Sequence, residues 1–413
     1  MSLTMQLTDS QINIQTLNTW NPFFAIETFN SIHEIDSVWD EVLKNNNTLL
    51  SSSYLKAVED FPPIGMKFRY VILRDEYKNP FGVVYFQIQF FNAGQSLSDK
   101  ESTKSPCFFN TFQKYLKGLV AKQVEFNTFV CGNLLLTGEN GFFFKPGSIP
   151  SENALQIISE TAEKVQLSLN QSGIQCNVCL MKDFILKNQN DENNSLIKKQ
   201  YHEFSIQPCM IMDLNPEWAT FDDYLNSLHS KYRIRAKRAF KKSSGLVKKE
   251  LSLDEIHKLQ NKIHQIYLGV AENAGFNTVN LHVGYFYGLK KYMGDNFRLF
   301  AYFKDQTLVG FYTMIGNGAE AEAHFLGYNK EENLHSQLYL NTLFDIIKQG
   351  IESKFSKINF SRTALEIKSS VGAVPQEMCC YMKHRSNFSN KFIRPILDYL
   401  NPEIEWVPRH PFK

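Results

Sequence analysis

Ionisable side chains alternate with apolar ones along one short segment, AEAEAHFLGYN (319–329). Because successive side chains of a strand point to opposite faces, Glu320, Glu322 and His324 are predicted to share a face, with Phe325 on the other. Glu322 or His324 could take a proton from an attacking amine, since amide formation needs a neutral amine. We expect a central strand that pairs with 308–316 and turns His324 towards a cavity. The alternative is an exposed face, or contacts with neighbouring charges.

Three more residues are candidates for contact with a ligand or a leaving group. Tyr381 could protonate a leaving thiolate. Arg362 follows an apolar strand, and its guanidinium could hold a phosphate or carboxylate through two bonds. Lys368 is predicted to lie in the first turns of a helix. The alternatives are an internal salt bridge for Arg362 and an ion pair near Glu366 for Lys368.

A concentrated basic segment, KYRIRAKRAFKKSSGLVKK (231–249), holds nine Lys and Arg and no acid. The whole chain has a net charge of +2, so the rest of it is acidic. The segment is predicted to be a helix that binds an anionic ligand through a face that includes Arg235 and Arg238. The alternative is a solvated helix face. The residues predicted to face the protein interior are Ile234, Ala236 and Phe240.

Composition and missing motifs argue against several classes of protein. The seven cysteines are irregularly spaced, and the one CxxC pair, Cys176 and Cys179, lies in an apolar run that is typical of a buried strand. We therefore predict no metal site. Walker, dinucleotide-binding GxGxxG, HExxH and GxSxG motifs are absent. No run approaches the ~18 apolar residues that span a bilayer, and residues 1–17 lack the features of a signal peptide. A cytoplasmic protein with no integral membrane association is expected.

An internal repeat organises the chain. FRYVILRDEYKNPFGVVYFQIQF (68–90) and FRLFAYFKDQTLVGFYTMIG (297–316) are each predicted to form a β-hairpin, with Phe68 equivalent to Phe297 and Gly82 to Gly310. An aromatic amphipathic stretch precedes each hairpin, and a long helix followed by a strand comes after it. The repeat predicts two domains, 1–200 and 201–413, joined near the Asn-rich segment 186–200. Each is predicted to be a mixed α/β sheet with helices on both faces.

Within the second repeat, the run INFSRTALEIKSSVGAVPQEMCCYMKHR (358–385) resembles the C-terminal signature of the Fem-like branch of the GNAT superfamily, the acyl-CoA N-acyltransferases. The matching positions are Ser361-Arg362-Thr363, Lys368, Gly372 and Pro375. Segment 224–246 is similar to the basic helix that opens the second domain in that family. The resemblance implies two tandem GNAT-like domains, each a mixed, mostly antiparallel sheet flanked by helices. The first would be a degenerate copy, and the second would carry the site.

The resemblance also implies a function, transfer of an acyl or aminoacyl group to a primary amine of an unidentified acceptor. The donor would be acyl-CoA or an aminoacyl-tRNA, and the acceptor a small molecule or a cell-wall precursor. One departure is that GYNKEENLHSQLYLN (327–341) has no glycine after Gly327, where GNAT proteins carry a Gly-rich pyrophosphate loop. Backbone N–H groups at a helix start could replace that loop. The residues predicted for that role are Leu334, His335, Ser336 and Gln337.

The alternative function comes from a different class. In it the duplicated fold is a non-catalytic binding module, and the basic helix at 231–249 holds an anionic ligand such as a nucleotide-sugar, a glycan or RNA. The missing Gly-rich loop favours this alternative, whereas the Ser-Arg-Thr signature favours the enzyme.

Overall fold

The computed structural model describes residues 24–92, 125–185, 195–271, 279–400 and 406–413. The predicted loop 93–106 and the N-terminal segment 1–17 lie outside the described residues, as does most of the predicted linker. No helix within those ranges is long and apolar enough to cross a membrane.

The strands of the described residues form two mixed sheets. The first sheet contains β1 (Ala25–Phe29), β2 (Met66–Arg74), β3 (Pro80–Asn92), β4 (Glu125–Cys131), β5 (Phe142–Phe144), β6 (Cys176–Ile185), β7 (His202–Ser205) and β15 (Met378–His384). The second sheet contains β8 (Cys209–Asp213), β9 (Val247–Glu250), β10 (Phe297–Lys304), β11 (Thr307–Asn317), β12 (Glu320–Tyr328), β13 (Lys357–Asn359) and β14 (Val374–Gln376).

Helices cover the faces of these sheets. In chain order they are α1 (Asp36–Leu43), α2 (Ser52–Asp60), α3 (Ala154–Gln171), α4 (Ser195–Lys198), α5 (Phe221–Ser227), α6 (Ser230–Lys242), α7 (Leu253–Ala271), α8 (Tyr285–Met293), α9 (Lys330–Ser336), α10 (Leu338–Glu352), α11 (Leu365–Ser369), α12 (Asn387–Asn390) and α13 (Ile393–Leu400). The predicted mixed α/β architecture is therefore confirmed.

The two sheets have the same order and strand directions. The first runs β1-β2-β3-β4-β6-β15-β7, and the second runs β9-β10-β11-β12-β13-β8-β14. In each, only the fourth and fifth strands along this order are parallel, β4 with β6 and β12 with β13. Strands β7 and β15 follow residue 200 but belong to the first sheet, so the sheets do not divide the chain at that point. The domain limits at 200 and 201 stay a prediction.

Both hairpins have the same pairing register. Leu73 lies opposite Gly82, and Tyr302 lies opposite Gly310, with a register shift immediately after each pair. This confirms the equivalence that the repeat predicted. Both glycines are needed for close packing, since a Cβ at Gly82 would lie 2.7 Å from the Phe144 ring and one at Gly310 would lie 2.7 Å from the Leu338 side chain.

Helices α2 and α8 pack against each other where the two halves meet. The Phe61 ring, which follows α2, lies against α8 so closely that a Cβ at Gly284 or Gly288 would come within 2.5 or 2.3 Å of it. Buried side chains from both repeats share this central core, whereas two other large cores cover the outer faces of the sheets. Helices α2 and α8 therefore hold together the two sheet faces that pack against the central core.

Candidate active site at the junction of the halves

Strand β12 lies inside the second sheet and positions the ionisable residues. It pairs with β11 over most of its length, as the sequence predicted, but with β13 only from Glu320 to Glu322. Beyond Glu322 the two strands no longer pair. Next to His324, β12 therefore has no paired strand on the β13 side among the described residues, and the cavity expected there stays a prediction.

A β-bulge interrupts β12 just beyond the point where its pairing with β13 ends. The register with β11 shifts between Tyr312 and Met314, so His324 and Phe325 lie together opposite Thr313. The Thr313 Oγ1 donates to the Phe325 carbonyl oxygen (3.0 Å) and accepts from the Phe325 N–H (2.9 Å). The Phe325 ring packs into the central core beside His324, with ring centroids 4.5 Å apart. The predicted strict alternation is therefore wrong at Phe325, because a bulge places two consecutive side chains on one face.

Glu322 is buried, with 7% of its surface exposed. Its Oε1 accepts a hydrogen bond from Asn359 Nδ2 (3.0 Å), and Asn359 Oδ1 is fixed as an acceptor by the Ser361 N–H (2.8 Å). No group in the described ranges bonds to Oε2. Burial raises the pKa of Glu322 to about 8, since the charged form loses its hydration. A carboxyl group with this pKa can accept and release a proton near neutral pH.

His324 points to the same side of the sheet. Its Nε2 lies 2.9 Å from the hydroxyl of Tyr285, a buried residue of α8. Burial lowers the pKa of His324 to about 3, so the imidazole is neutral at neutral pH. Burial raises the pKa of Tyr54 on α2, and the charge of Glu322 adds to that rise, which places Tyr54 near the same site. Of the two predicted bases, Glu322 has the pKa suited to the task.

Sequence analysis missed the residues that surround this pair. Tyr54, Tyr285 and Asn133 meet at the junction, since the Tyr285 and Tyr54 hydroxyls are 3.5 Å apart and Asn133 Nδ2 donates to Tyr54 (3.2 Å). The available signal was the pair of aromatic stretches before the hairpins, which supply α2 and α8. Packing between the two repeats decides which polar atoms of those stretches face each other. The sequence pattern alone therefore does not predict these contacts.

Tyr381 is not brought to this site. It lies on β15 in the first sheet, where it is buried in the outer core and its ring packs against Phe184 at 5.8 Å. The neighbouring Cys380 points to the other face, where its Sγ approaches Asp183. We therefore leave Tyr381 out of the proposed site.

The guanidinium of Arg362 is used within the protein. Its Nη2 and Nη1 donate to Asp183 Oδ1 (2.6 Å) and Oδ2 (3.0 Å), and its Nε donates to the Gln207 carbonyl oxygen (2.9 Å). The alternative foreseen for Arg362, an internal salt bridge, is what the structure shows. Because Asp183 lies on β6, this ion pair joins the two sheets.

Lys368 lies in α11 as predicted and is buried, with no ion pair to Glu366, whose partner is Arg409. Its Nζ donates to the carbonyl oxygens of Ser361 (3.3 Å) and Arg362 (2.5 Å). Ser361, Thr363 and Ala364 all have a positive φ, between 49° and 69°. Non-glycine residues rarely adopt this conformation, so the loop that follows β13 is strained. The hydrogen bonds from Lys368 stabilise this loop, and the loop in turn supports Asn359.

The basic segment 231–249 is a shorter helix than predicted. Helix α6 ends at Lys242, and residues 247–250 form the edge strand β9, because Ser243, Ser244 and Gly245 form the turn between them. In that strand Lys248 pairs with Asp345, and Lys249 pairs with Glu255. Ile234 is 49% exposed, so its predicted interior position is wrong. The predicted interior positions of Ala236 and Phe240 are confirmed, and Tyr232 and Ala239 also pack inward.

The basic side chains of α6 make no ion pair with any group in the described part of the chain. They are Lys231, Arg233, Arg235, Lys237, Arg238, Lys241 and Lys242. Arg235 lines a groove of about 480 Å³ that also includes Lys231, Glu366 and Arg409. Helix α6 covers the outer face of the second sheet, whereas Glu322 and His324 face the central core. The basic helix and the Glu322 site therefore lie on opposite faces.

The segment predicted to replace the pyrophosphate loop spans the end of one helix and the start of the next. Leu334, His335 and Ser336 lie in α9, whereas Gln337 is the N-cap of α10 and has a left-handed conformation (φ 49°). Asn333 Oδ1 accepts from the Tyr339 N–H (2.8 Å), which occupies one donor at the beginning of α10. The Tyr339 N–H is therefore not free to bind a pyrophosphate, and the binding role of these residues stays a prediction. The extra helix was hidden because its polar sequence shows no apolar period.

No group of three or more His, Cys, Asp or Glu residues within the described ranges is placed to hold a metal ion. Cys176 and Cys179 are free and buried in β6.

No protein-family model matches the sequence, and no curated protein matches it. Among solved structures, the crystal structure of FemX is 12% identical, with a TM-score of 0.51 over 89% of this chain and 99% of that chain. A tandem GNAT protein from the clavulanic acid biosynthesis pathway is 8% identical, with a TM-score of 0.47 over 88% and 99%. L-PGS from Bacillus licheniformis is 10% identical, with a TM-score of 0.45 over 88% and 96%.

The likeness to FemX extends over both repeats and agrees with the matching strand orders of the two sheets. The protein therefore has the GNAT fold in a Fem-like tandem arrangement.

Proposed function

We propose that the protein is an N-acyltransferase that moves an acyl or aminoacyl group to a primary amine, with Glu322 as the general base. The observation that carries this proposal is the buried Glu322 carboxyl, whose pKa is raised to about 8 at the point where β12 and β13 stop pairing. A primary amine is mostly protonated near neutral pH, and it must lose a proton before it can attack an acyl carbon.

The chemistry assigned to the site is a single acyl transfer. The amine nitrogen attacks the acyl carbonyl carbon, a C–N bond forms, and the C–S or C–O bond to the leaving group breaks. The Oε2 of ionised Glu322 accepts the amine proton, while Asn359 holds Oε1 in place. The leaving thiolate or alkoxide then takes a proton from solvent or from Glu322.

Both substrates are proposed only as classes. The donor is acyl-CoA or an aminoacyl-tRNA, and at the start of α10 the Tyr339 N–H is already bonded to Asn333 and is not free for a CoA pyrophosphate. The acceptor is a small molecule or a cell-wall precursor that carries a primary amine. We assign the base to the second domain, 201–413, and a supporting role to 1–200, which supplies Tyr54 and Asn133.

The direct test is a search for new amides. The full chain is incubated with a panel of acyl-CoA thioesters or with a mixed pool of aminoacyl-tRNAs, each together with a library of primary amines, and the products are analysed by mass spectrometry. The proposal predicts amide products with the wild-type protein that are lost with Glu322→Gln. Products formed equally by both proteins would remove Glu322 from the mechanism.

A second candidate function is binding of an anionic ligand, a nucleotide-sugar, a glycan or RNA, through α6. The seven basic side chains of α6 favour it, because like charges at these spacings repel and no acid within the described ranges pairs with them. The helix also has basic residues and no acid in its first turn, where the helix dipole disfavours positive charge.

Salt dependence tests this second function. We expect binding of a polyanion such as RNA to weaken steeply with added salt, and Arg235→Gln with Arg238→Gln to reduce the slope of log Kd against log salt by about 1–2. The matched control is Lys248→Gln with Lys249→Gln, which removes two positive charges that already have acidic partners. Equal slopes for the wild type and the α6 double variant would mean that the helix only solubilises the protein.

A further inference from the structure

A chain of buried hydrogen bonds runs from the first sheet to His324. Gln87 on β3 bonds to Asn133, Asn133 to Tyr54, Tyr54 to Tyr285, and Tyr285 to His324. Apart from His324, every member is at most 1% exposed. Because buried donors in proteins are almost always hydrogen-bonded, each of these donors is expected to have an acceptor among its buried neighbours.

At the beginning of this chain of hydrogen bonds, two backbone N–H groups determine which side-chain atoms donate and which accept. The Leu134 N–H donates to Gln87 Oε1 (2.7 Å), and the Leu135 N–H donates to Asn133 Oδ1 (2.9 Å). A backbone N–H can only donate, so both amide oxygens are acceptors and both amide nitrogens are donors. Gln87 Nε2 therefore donates to Asn133 Oδ1 (3.2 Å).

The same order of donor and acceptor continues through the two tyrosine hydroxyls. Asn133 Nδ2 donates to the Tyr54 oxygen, which leaves the Tyr54 proton to be donated to Tyr285 at 3.5 Å. Tyr285 in turn donates its proton to His324 Nε2 at 2.9 Å. If Tyr285 donated to Tyr54 instead, the Tyr54 oxygen would accept from two donors, and its own buried proton would have no acceptor.

We propose that this chain holds the His324 proton on Nδ1, so that His324 acts as a hydrogen-bond donor to the acyl carbonyl oxygen and not as a base. The inference rests on the proposed acyl transfer. As the amine attacks, the carbonyl π electrons move to the oxygen, and the Nδ1–H stabilises the resulting negative charge without giving up its proton. Tyr285, Tyr54 and Asn133 are positioning residues.

The arrangement of the ring fits this role. Nε2 faces the buried Tyr285 hydroxyl, and the two ring nitrogens lie on different edges of the imidazole. No protein group in the described ranges accepts a hydrogen bond from Nδ1, and His324 as a whole residue is not fully buried. The Nδ1–H is therefore directed away from Tyr285 and is free to meet a ligand.

Nitrogen NMR of the full chain with ¹⁵N-labelled histidine tests the tautomer without any substrate. The His324 signals are identified by their loss in His324→Asn. At neutral pH the proposal expects a protonated Nδ1 and an unprotonated Nε2, and it expects Tyr285→Phe to raise the share of the Nε2-protonated form. Tyr292→Phe is the matched control, because Tyr292 is on the same helix but bonds to Asp60. A protonated Nε2 in the wild type would overturn the proposal, even if acyl transfer is established.

Two substitutions of His324 separate a donor from a base. Asparagine keeps an N–H near the position of Nδ1 but cannot accept a proton, whereas alanine provides neither. We expect His324→Ala to lower turnover by about 10²–10³-fold and His324→Asn to stay within about tenfold of wild type. Equal loss in both variants would contradict the donor role. If the tautomer is as expected but no amide forms with any substrate, the proposed function fails and the tautomer assignment stands.

Discussion

Glu322→Gln is expected to lower turnover by about 10²–10⁴-fold, the range by which a general base accelerates proton transfer. Glutamine keeps the shape of the side chain and a contact with Asn359 but cannot accept a proton. The effect is measured as kcat in the amide-forming assay. Glu320→Gln is the matched control, because Glu320 is on the same strand but partly exposed and paired with Lys357 (2.9 Å). Its turnover should stay within a factor of about two, and equal losses in both variants would contradict a specific role for Glu322.

The pH profile should report the same carboxyl group. Since the base must be ionised, wild-type turnover is expected to rise through a pH near 8, the pKa of Glu322. Stability should change in the opposite sense. A carboxyl pKa that is raised in the folded state favours folding below 4.5, and this advantage is lost as pH rises through about 8. Urea unfolding of Glu322→Gln should show a smaller loss of stability over that window than the wild type shows.

Asp183→Asn should cause the largest loss of stability among the charged residues discussed. Asp183 is fully buried, and its carboxylate pairs with Lys182 and, through two hydrogen bonds, with Arg362. Removing its charge leaves two basic groups without their partner, which costs about 3–5 kcal/mol in the free energy of unfolding. Urea unfolding measures this cost. Because the ion pair joins the two sheets, we also expect faster proteolysis of the variant.

The pH dependence of Asp183 has the opposite sign to that of Glu322. Burial alone would raise the pKa of Asp183, but the charges of Lys182 and Arg362 outweigh it and hold the pKa at about 2. A depressed carboxyl pKa contributes stability above 3.8 that is lost as pH falls through about 2. Removing the exposed Lys357–Glu320 pair by Glu320→Gln should cost less than about 1 kcal/mol. If Asp183→Asn unfolds at the same urea concentration as that control, the ion pair does not hold the halves together.

The repeat made the fold predictable from the sequence. The hairpins carry their own register, because Gly82 and Gly310 mark the positions where a neighbouring side chain packs too closely for a Cβ. The sequence did not predict which sheet the last strand would join. Strand β15 lies in the first sheet although it follows the second repeat, and a short apolar run is the same in either sheet.

The candidate site was predicted only in part. Alternating polarity correctly placed Glu322 and His324 on an interior strand, but their roles depend on burial and on partners from distant segments. Tyr285, Tyr54 and Asn133 come from α8, α2 and the loop after β4, and no local spacing links them. Arg362 looked like a ligand contact because the sequence does not show whether an arginine side chain is already paired within the protein. Its partner Asp183 is 179 residues away.

Titration of the Glu322 side chain is the most direct test of the account, since it needs neither donor nor acceptor. The carboxyl carbons of glutamate are labelled with ¹³C in the full chain, and the signal that disappears in Glu322→Gln is followed by NMR from pH 4 to pH 10. We predict a midpoint near 8, which would establish a buried base that is active around neutral pH. A midpoint near 4.5, the ordinary value for glutamate, would contradict the assignment of Glu322 as the general base.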